Sequence, residues 1–248
     1  MKTALVTGAS RGLGKEIAVG LVQSGYRVIA VARNLSDSDE RFINIEGDIS
    51  DLDFVETLAK RVLADYESID VLINAAGVFG PIALMHKSDP REWAQTIMID
   101  AVAPYFLINK FLPAMLSNKW GRIINVSSAA SLHAPGPINS AYGTAKVALN
   151  QLTRHLASEL IGTGVTANVI HPGDVKTEMW NDIKDKVDKA GELAIGYKNW
   201  VEWVEETGGD APEKAMKLVM KLISPESDEI NGEFCWIDNP LQSPIQSW

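Results

Sequence analysis

The order of the apolar segments constrains the fold of this chain more than any other feature of its sequence. Short runs rich in Val, Ile and Leu alternate with longer segments in which apolar residues recur at helical spacing. Such alternation is typical of α/β proteins, whose parallel strands are apolar throughout because helices cover both faces of the sheet. We therefore predict an α/β doubly wound fold with a seven-stranded parallel sheet and helices on both faces. The predicted strands are Thr3–Thr7, Arg27–Val31, Phe42–Ile45, Val71–Asn74, Arg122–Val126, Val165–Ile170 and Phe234–Ile237.

The length and charge of the chain narrow the classes of protein that it can belong to. A chain of 248 residues is long enough to bury a large core, and we predict one domain over residues 1–248. The formal net charge is -9, which would repel the phosphate backbone of a nucleic acid. We therefore expect no nucleic-acid partner.

The distribution of cysteine and of long apolar runs bears on the cellular location. Cys235 is the only cysteine, so an internal disulfide is excluded, and residues 1–10 become polar too early for a signal peptide. The charge-free run Ala101–Asn109 is far shorter than the ~20 residues that cross a bilayer. We expect a cytoplasmic protein without a membrane segment. The four histidines lack the spacing of metal ligands, so we also expect no metal.

Helical periodicity is clear in two segments and absent from a third. It runs from Leu52 to Leu63, with Ser50 or Asp51 as the N-cap, and again over Leu149–Leu160. Residues 178–209 instead interleave charged residues with aromatic ones, namely Trp180, Tyr197, Trp200 and Trp203. We predict a substrate loop or lid at about residues 178–210. The alternative is a pair of surface helices whose tryptophans pack on the domain.

A glycine-rich turn lies directly between the first predicted strand and the first predicted helix. Residues Thr7–Gly14 read Thr-Gly-Ala-Ser-Arg-Gly-Leu-Gly, and the lack of side chains lets backbone N–H groups and the helix dipole approach a pyrophosphate. Two common phosphate-binding motifs do not match this turn. Ile17 occupies the third glycine position of Gly-x-Gly-x-x-Gly, and Leu13 occupies the second glycine position of a Walker loop. A serine hydrolase with Ser10 as nucleophile and His171 as base remains a distant alternative, as does a turn without a ligand.

Four further motifs follow in order along the chain, each at the end of a predicted strand or the start of a helix. Asn74-Ala75-Ala76-Gly77 follows the fourth strand, and Ser128 follows the fifth. Tyr142 and Lys146 form a Tyr-x-x-x-Lys pair, and the segment Pro172–Thr177 follows the sixth strand. Together with the glycine turn, these motifs make the chain similar to the short-chain dehydrogenase/reductase family over almost its whole length.

This resemblance implies a single Rossmann-like domain that transfers hydride between a nicotinamide cofactor and a carbonyl or secondary alcohol. It implies Tyr142 as the acid/base, Ser128 as the donor to the substrate oxygen, and Lys146 as the residue that holds the ribose hydroxyls. Asp48 would meet the adenine ring, and Val175 and Thr177 the nicotinamide end. The implied cofactor-binding residues are Gly8, Ser10, Arg11, Gly12, Leu13, Gly14, Arg33, Asp48, Ile49, Asn74, Ala75, Ala76, Gly77, Tyr142, Lys146, Pro172, Gly173, Val175 and Thr177.

Elementary electrostatics supports the role of the Tyr142–Lys146 pair. Residues four apart share one face of a helix, and an ammonium ~5 Å from a phenol favours the phenolate by roughly 3 kcal/mol at an effective dielectric near 20. That energy corresponds to about two pKa units, so we predict a lowered pKa for Tyr142. The Ser128–Tyr142 spacing is one residue longer than is usual in the family, and we expect Leu132–Asn139 to absorb the extra residue.

The residue after the second strand favours one nicotinamide cofactor over the other. An acidic residue there would bind the adenosine ribose of NAD, but this chain has Ala32-Arg33. Arg33, with Arg11 from the glycine turn, suits the oxygens of a 2′-phosphate. We therefore predict NADP(H), and an NADPH-dependent carbonyl reductase acting on a small carbonyl or alcohol. A non-catalytic NADP-binding sensor or scaffold is the alternative.

Two positions depart from the family pattern. Asp100 stands where the family has an asparagine in its water relay, and we include it among the catalytic residues. An ionised Asp100 would compete with Tyr142 for the ammonium of Lys146, whereas a neutral one would anchor water. The C-terminal Asp238-Asn239-Pro240 replaces the Asp-Gly-Gly that is common in the family, so we expect subunit contacts that differ from the family's. The apolar stripes of Ala101–Leu112 and Leu149–Leu160 suit the homodimer or homotetramer that we expect.

Overall fold

Seven strands form one parallel sheet in the computed structural model, which describes residues 1–35, 41–133 and 135–238. Their order across the sheet is β3-β2-β1-β4-β5-β6-β7, and every neighbouring pair is parallel. The predicted fold class is thereby confirmed, and each predicted strand lies within one residue of the observed bounds. The strands are β1 Thr3–Thr7, β2 Arg27–Ala32, β3 Ile43–Glu46, β4 Val71–Asn74, β5 Gly121–Val126, β6 Val165–His171 and β7 Phe234–Trp236.

Helices cover both faces of this sheet. Asp51 caps the second helix by accepting from the N–H groups of Asp53 and Phe54, which confirms one of the two predicted N-caps. The predicted C-terminal departure at residues 239–248 lies outside the described residues. The helices are α1 Gly12–Gln23, α2 Leu52–Tyr66, α3 Pro90–Ile97, α4 Ala103–Ser117, α5 Ser140–Glu159, α6 Glu178–Lys189, α7 Ile195–Thr207 and α8 Pro212–Leu222.

The alternation of side chains along the strands divides the core into two layers. Leu5 of β1 packs with α2, α4 and α5, whereas its neighbours Ala4 and Val6 pack with α1 and α8. Successive strand residues point to opposite faces, so the five inner strands supply both layers, whereas the edge strands β3 and β7 supply one layer each. This double burial explains why the inner strands are mostly apolar.

The two apolar stripes that suggested subunit contacts lie largely in the core. Leu107 and Phe111 of α4, and Leu149 and Leu156 of α5, are buried within the chain itself. Residues 90–117 form a helical stretch long and apolar enough to cross a bilayer by length and hydropathy, but a core helix passes the same test. The homodimer or homotetramer stays a prediction. The two apolar stripes are weaker support for it, because much of their apolar surface is already buried within the chain.

The segment after β6 differs from the irregular loop that the sequence suggested. Two regular helices, α6 and α7, occupy it and pack around an apolar cluster of their own. Trp180 is buried there, Trp200 is half-buried, and Trp203 is exposed. The expectation of an irregular loop is therefore wrong, and the alternative of a helix pair is correct. The helical period was hard to recognise in the sequence because the tryptophans are interleaved with charged residues. A lid function for this segment stays a prediction.

The sheet order brings the motif-bearing loops to one edge. Thr7 of β1 pairs with Asn74 of β4, Asn74 pairs with Asn125 of β5, and Val126 pairs with Ile170 of β6. Their carboxyl ends therefore lie side by side. The chain order reverses between β1 and β4, which is where ligands bind in open α/β sheets.

Candidate active site

The glycine turn approaches the loop after β4 closely because Gly8 has no side chain. Gly8 has φ +69°, and a Cβ there would lie 2.8 Å from Cα and N of Ala76. The hydroxyl of Thr7 accepts hydrogen bonds from the N–H groups of Ala75 and Ala76, each at 3.2 Å. Thr7 and Gly8 thus hold the two loops together at the switch point of the sheet.

The start of α1 offers backbone donors to an anion. The N-cap of this helix is Arg11, and no side chain caps it. The N–H groups of the first turn therefore have no intrahelical partner and point out of the helix. This arrangement suits the pyrophosphate of a dinucleotide.

A cavity of about 360 Å³ lies between the start of α1 and the start of α6. Three of the predicted cofactor residues, Gly12, Val175 and Thr177, are among the residues that line it. Another cavity, of about 340 Å³, lies at the opposite end of the strands beside Lys2 and Tyr26, far from the motif-bearing loops. The glycine turn, the uncapped helix and the first cavity together fit the phosphate and ribose parts of a dinucleotide.

Ser128 and Tyr142 meet at the carboxyl end of β5. The side chain of Ser128 lies near the phenol of Tyr142, which is in the first turn of α5, and lowers the pKa of that phenol as a hydrogen-bonding partner would. The neighbouring Ser127 is buried, at 2% exposure, and has no hydrogen-bond partner for its hydroxyl among the described residues. Of the two adjacent serines, Ser128 is therefore the one that contacts Tyr142.

Lys146 lies beside Tyr142 but is also bound elsewhere. Its Nζ is 5.4 Å from the centroid of the Tyr142 ring, close to the separation that helical spacing predicts. The same Nζ donates to the carbonyl oxygen of Val126 at 3.0 Å and lies 3.0 Å from Oδ2 of Asp100. Asp100 is therefore next to the predicted catalytic pair.

The pKa of Tyr142 moves in the direction opposite to our prediction. Burial raises it, because Tyr142 is only 8% exposed, and the carboxylate of Asp100 raises it further. Lys146 and Ser128 together lower it by less. The prediction of a lowered pKa is wrong because it left out desolvation, and because Asp100 competes for the ammonium as an ionised carboxylate was expected to do.

Several other residues predicted to bind the cofactor already make contacts within the protein, which restrict how they could contact a ligand. Ile49 packs in the core, which leaves only its backbone for a cofactor. Asn74 donates to Asn125 in a buried bridge, and Asp48 accepts two hydrogen bonds from Ser50. Arg33 is exposed just after β2, where a ribose phosphate would be accessible to it.

The remaining predicted residues lie on the same edge. Ser10, Arg11, Leu13 and Gly14 belong to the glycine turn or the first turn of α1. Gly77 lies against Asp100 and Lys146, since a Cβ there would be 3.1 Å from Oδ2 and 3.5 Å from Nζ. Pro172 and Gly173 follow β6 directly.

Three residues near the site escaped the sequence reasoning. Thr7 organises two loops, and the ring of Phe79 packs on that of Tyr142 with centroids 4.8 Å apart. Asn150 donates to Ser131, whose hydroxyl donates to the backbone oxygen of Ser128. Thr7 could have been found as the first residue of the glycine motif. No pattern marks Phe79 or Asn150, since both contacts depend on the tertiary structure.

The geometry does not favour the hydrolase alternative. Nδ1 of His171 accepts from the N–H of Ala129, and its ring packs against Trp236. No hydrogen bond joins Ser10 to His171 within the described ranges. Burial lowers the pKa of His171, although Asp174 and Asp210 oppose the shift. The part of the chain that the structure describes also contains no group of three or more potential metal ligands.

Comparison with known proteins identifies the family. Residues 2–188 match the family described as short chain dehydrogenase. The 3-oxoacyl-[acyl-carrier-protein] reductase FabG of Staphylococcus aureus is 33% identical over 198 residues, which are 75% of this chain and 79% of that protein.

Two solved structures share the fold over most of the chain. A variant of actinorhodin polyketide ketoreductase with NADPH has a TM-score of 0.84 at 25% identity, covering 95% of each chain. The KRED1-Pglu enzyme has a TM-score of 0.83 at 29% identity, covering 95% of this chain and 100% of the other. Sequence motifs, fold and relatives agree, and the chain belongs to the short-chain dehydrogenase family of oxidoreductases.

Proposed function

We propose that the protein is an NADPH-dependent reductase of small carbonyl compounds. The observation that carries the proposal is the proximity of Ser128 to Tyr142, with Lys146 one helical turn away, at the sheet edge that also bears the glycine turn. The phenol of Tyr142, a proton donor, and the hydroxyl of Ser128, a hydrogen-bond donor, thereby lie close together. That arrangement suits a carbonyl oxygen that gains negative charge as its carbon is reduced.

The roles of the individual side chains follow from these positions. NADPH, when bound, supplies the hydride that reduces the carbonyl carbon. Tyr142 donates its phenolic proton to the substrate oxygen, and Ser128 donates a hydrogen bond to the same oxygen. Lys146 binds the ribose hydroxyls of the cofactor through its ammonium.

The choice of NADPH over NADH rests on charge at the end of β2. Arg33 is exposed there, and Arg11 is exposed in the glycine turn. Two guanidinium groups favour the 2′-phosphate of NADPH, since each can donate two parallel hydrogen bonds to its oxygens. The NADPH complex of the structurally similar ketoreductase supports the same choice.

The helix pair α6–α7 supplies an apolar wall for the substrate. Tyr197 of α7 packs edge-on against Phe79, whose ring in turn covers Tyr142. Trp200 anchors α7 to the loop after β6 by donating from Nε1 to Asp174 at 3.0 Å. We therefore propose neutral, largely apolar carbonyl compounds as substrates.

The proposal is tested by measuring NADPH oxidation with a panel of aliphatic, aromatic and acyl-thioester ketones. Tyr142→Phe should lower kcat at least about 100-fold, because general acid catalysis contributes that much or more, and should leave NADPH binding intact. Tyr105→Phe is the matched control, since Tyr105 is exposed on α4 away from the site. Turnover by Tyr142→Phe at the wild-type rate would overturn the proposal.

The alternative is a non-catalytic protein that binds NADP. The covering of Tyr142 by Phe79 and the charge contact between Lys146 and Asp100 favour it. Tight NADPH binding without turnover of any compound in the panel would support this alternative. We also retain the predictions of a cytoplasmic location and a homo-oligomer, the latter testable by light scattering.

A further inference from the structure

A buried carboxylate faces the lysine of the proposed site. Asp100 lies in a π-helical turn, Met98–Val102, between α3 and α4, and its side chain is fully buried. Its Oδ1 accepts from the N–H of Val78 at 2.9 Å, and its Oδ2 lies 3.0 Å from Nζ of Lys146. The carboxylate is thus fixed by the backbone on one side and by an ion pair on the other.

The pair is formed within the protein and is almost fully buried. The side chain of Lys146 is 5% exposed, and the backbone of Gly77 lies against both charged groups. A charge in such surroundings is stable only with a partner, since desolvation costs several kcal/mol per ion. Lys146 therefore has its counter-charge before any ligand arrives.

The consequence for Tyr142 holds wherever the shared proton lies. Burial raises the pKa of Asp100, and Lys146 only partly opposes this. Burial alone would lower the pKa of Lys146, but the charge of Asp100 raises it overall. With the proton on lysine the pair is an ammonium and a carboxylate, and with the proton on aspartate both groups are neutral. In either form Tyr142 faces a pair with no net charge.

The other groups packed against Tyr142 do not replace the missing positive charge. Phe79 and Ser128 are uncharged, and Tyr197 is a phenol whose pKa is raised to about 12, chiefly by burial. Apart from Lys146 and Asp100, none of these neighbours carries a charge at neutral pH. Among these neighbours, the pair is therefore the only source of charge that acts on the protonation of Tyr142 in addition to burial.

We propose that Asp100 is a positioning residue that balances the charge of Lys146, keeps Tyr142 a proton donor into the alkaline range, and so sets the site for carbonyl reduction. This inference rests on the proposed function. In reduction the O–H bond of Tyr142 breaks and its proton goes to the carbonyl oxygen, while the carbonyl carbon is reduced and NADPH is oxidised. Alcohol oxidation needs the phenolate instead and should therefore proceed only at alkaline pH.

Direct titration of the phenol tests the inference without relying on activity. The chain has five tyrosines, so protein labelled with 13C at Cζ of tyrosine gives few signals, and Tyr142→Phe identifies the one from Tyr142. Asp100→Asn keeps the shape and an acceptor for Val78 while it removes the charge. We expect its Tyr142 signal to titrate about one pH unit or more lower than in the wild-type protein. The control is Asp89→Asn at the exposed N-cap of α3, which should leave the titration midpoint of Tyr142 unchanged.

Three outcomes decide the matter. A lower midpoint in Asp100→Asn, with a parallel shift in the pH profile of alcohol oxidation, supports the inference. An unchanged or higher midpoint overturns it, whether or not the protein turns over a substrate. If Asp100→Asn does not fold, Asp100→Ser takes its place under the same criteria: a lower midpoint than in the wild-type protein supports the inference, and an unchanged or higher midpoint overturns it. Failure of the proposed function would appear separately, as absent turnover in every variant.

Discussion

Replacing Gly14 by alanine should damage both the fold and the binding of the cofactor. Gly14 lies in the first turn of α1, and a Cβ there would lie 2.8 Å from the carbonyl carbon of Gly8 and still closer to its oxygen. Neither atom can move freely, because the N–H of Gly8 is hydrogen-bonded to Val31 in the neighbouring strand at 2.9 Å. The new methyl group must therefore push the start of α1 away from the glycine turn.

The magnitude follows from two opposing effects. Helix propensity favours alanine over glycine by about 1 kcal/mol. Overpacking against a rigid neighbour typically costs ~1–3 kcal/mol, and a clash with backbone belongs at the upper end. We expect a net loss of about 2 kcal/mol in the free energy of unfolding, or roughly 4–8 °C in Tm for a chain of this size. The Kd for NADPH should rise at least about 10-fold, which corresponds to 1.4 kcal/mol.

The matched control is Gly196→Ala in α7, where the added methyl group meets only open space. Both substitutions make the same chemical change in a helix, so they differ in surroundings alone. Gly196→Ala should be as stable as the wild-type protein or up to about 1 kcal/mol more stable. Urea unfolding followed by tryptophan fluorescence, with titration of NADPH, measures both quantities. Equal stability and equal affinity in the two variants would refute the reasoning.

Three further predictions concern single side chains. Arg33→Ala should raise the Kd for NADPH about 10-fold and leave the Kd for NADH unchanged, because charge-assisted hydrogen bonds to the 2′-phosphate are lost. Arg61→Ala on α2 is the control. Equal effects of Arg33→Ala on both cofactors would contradict the prediction. Tyr197 has its pKa raised to about 12 by burial, so its contribution to stability is complete below pH 10 and is lost as the pH rises towards 12. Tyr197→Phe should therefore lose less stability than the wild-type protein between pH 10 and 12 in urea titrations, and identical pH dependence would count against this. Cys235 is fully buried and its pKa is raised to about 12, so iodoacetamide at pH 8 should label it only after unfolding, as mass spectrometry can show.

The strands were predictable because their signal is local. Each is a short segment rich in apolar residues, the inner ones are buried on both faces, and glycines such as Gly8 and Gly162 mark the turns. The positions of Ser128, Tyr142 and Lys146 followed from motifs in a fixed order, and the fold brings them together as those motifs imply. Their roles in catalysis stay predictions until activity is measured.

The electrostatics of the site could not be predicted from spacing. A four-residue interval fixes the distance between Tyr142 and Lys146, but it contains nothing about Asp100, which arrives from a helix more than forty residues earlier in the sequence. The same holds for Phe79, which covers Tyr142 from a loop. Ile138 gives another example: it has φ +68°, a left-handed conformation unusual for a β-branched residue, within the segment that we expected to absorb an extra residue.

The helix pair α6–α7 has its own apolar centre, built around Trp180, Ile183, Val187 and Val204, apart from the two layers on the sheet. A substitution in this centre changes the packing of the pair without loosening the strands that carry the glycine turn. New substrate preferences can therefore evolve here while the reducing apparatus is inherited unchanged. Directed evolution of the protein towards bulkier ketones should accumulate its mutations in these two helices and leave the sheet intact.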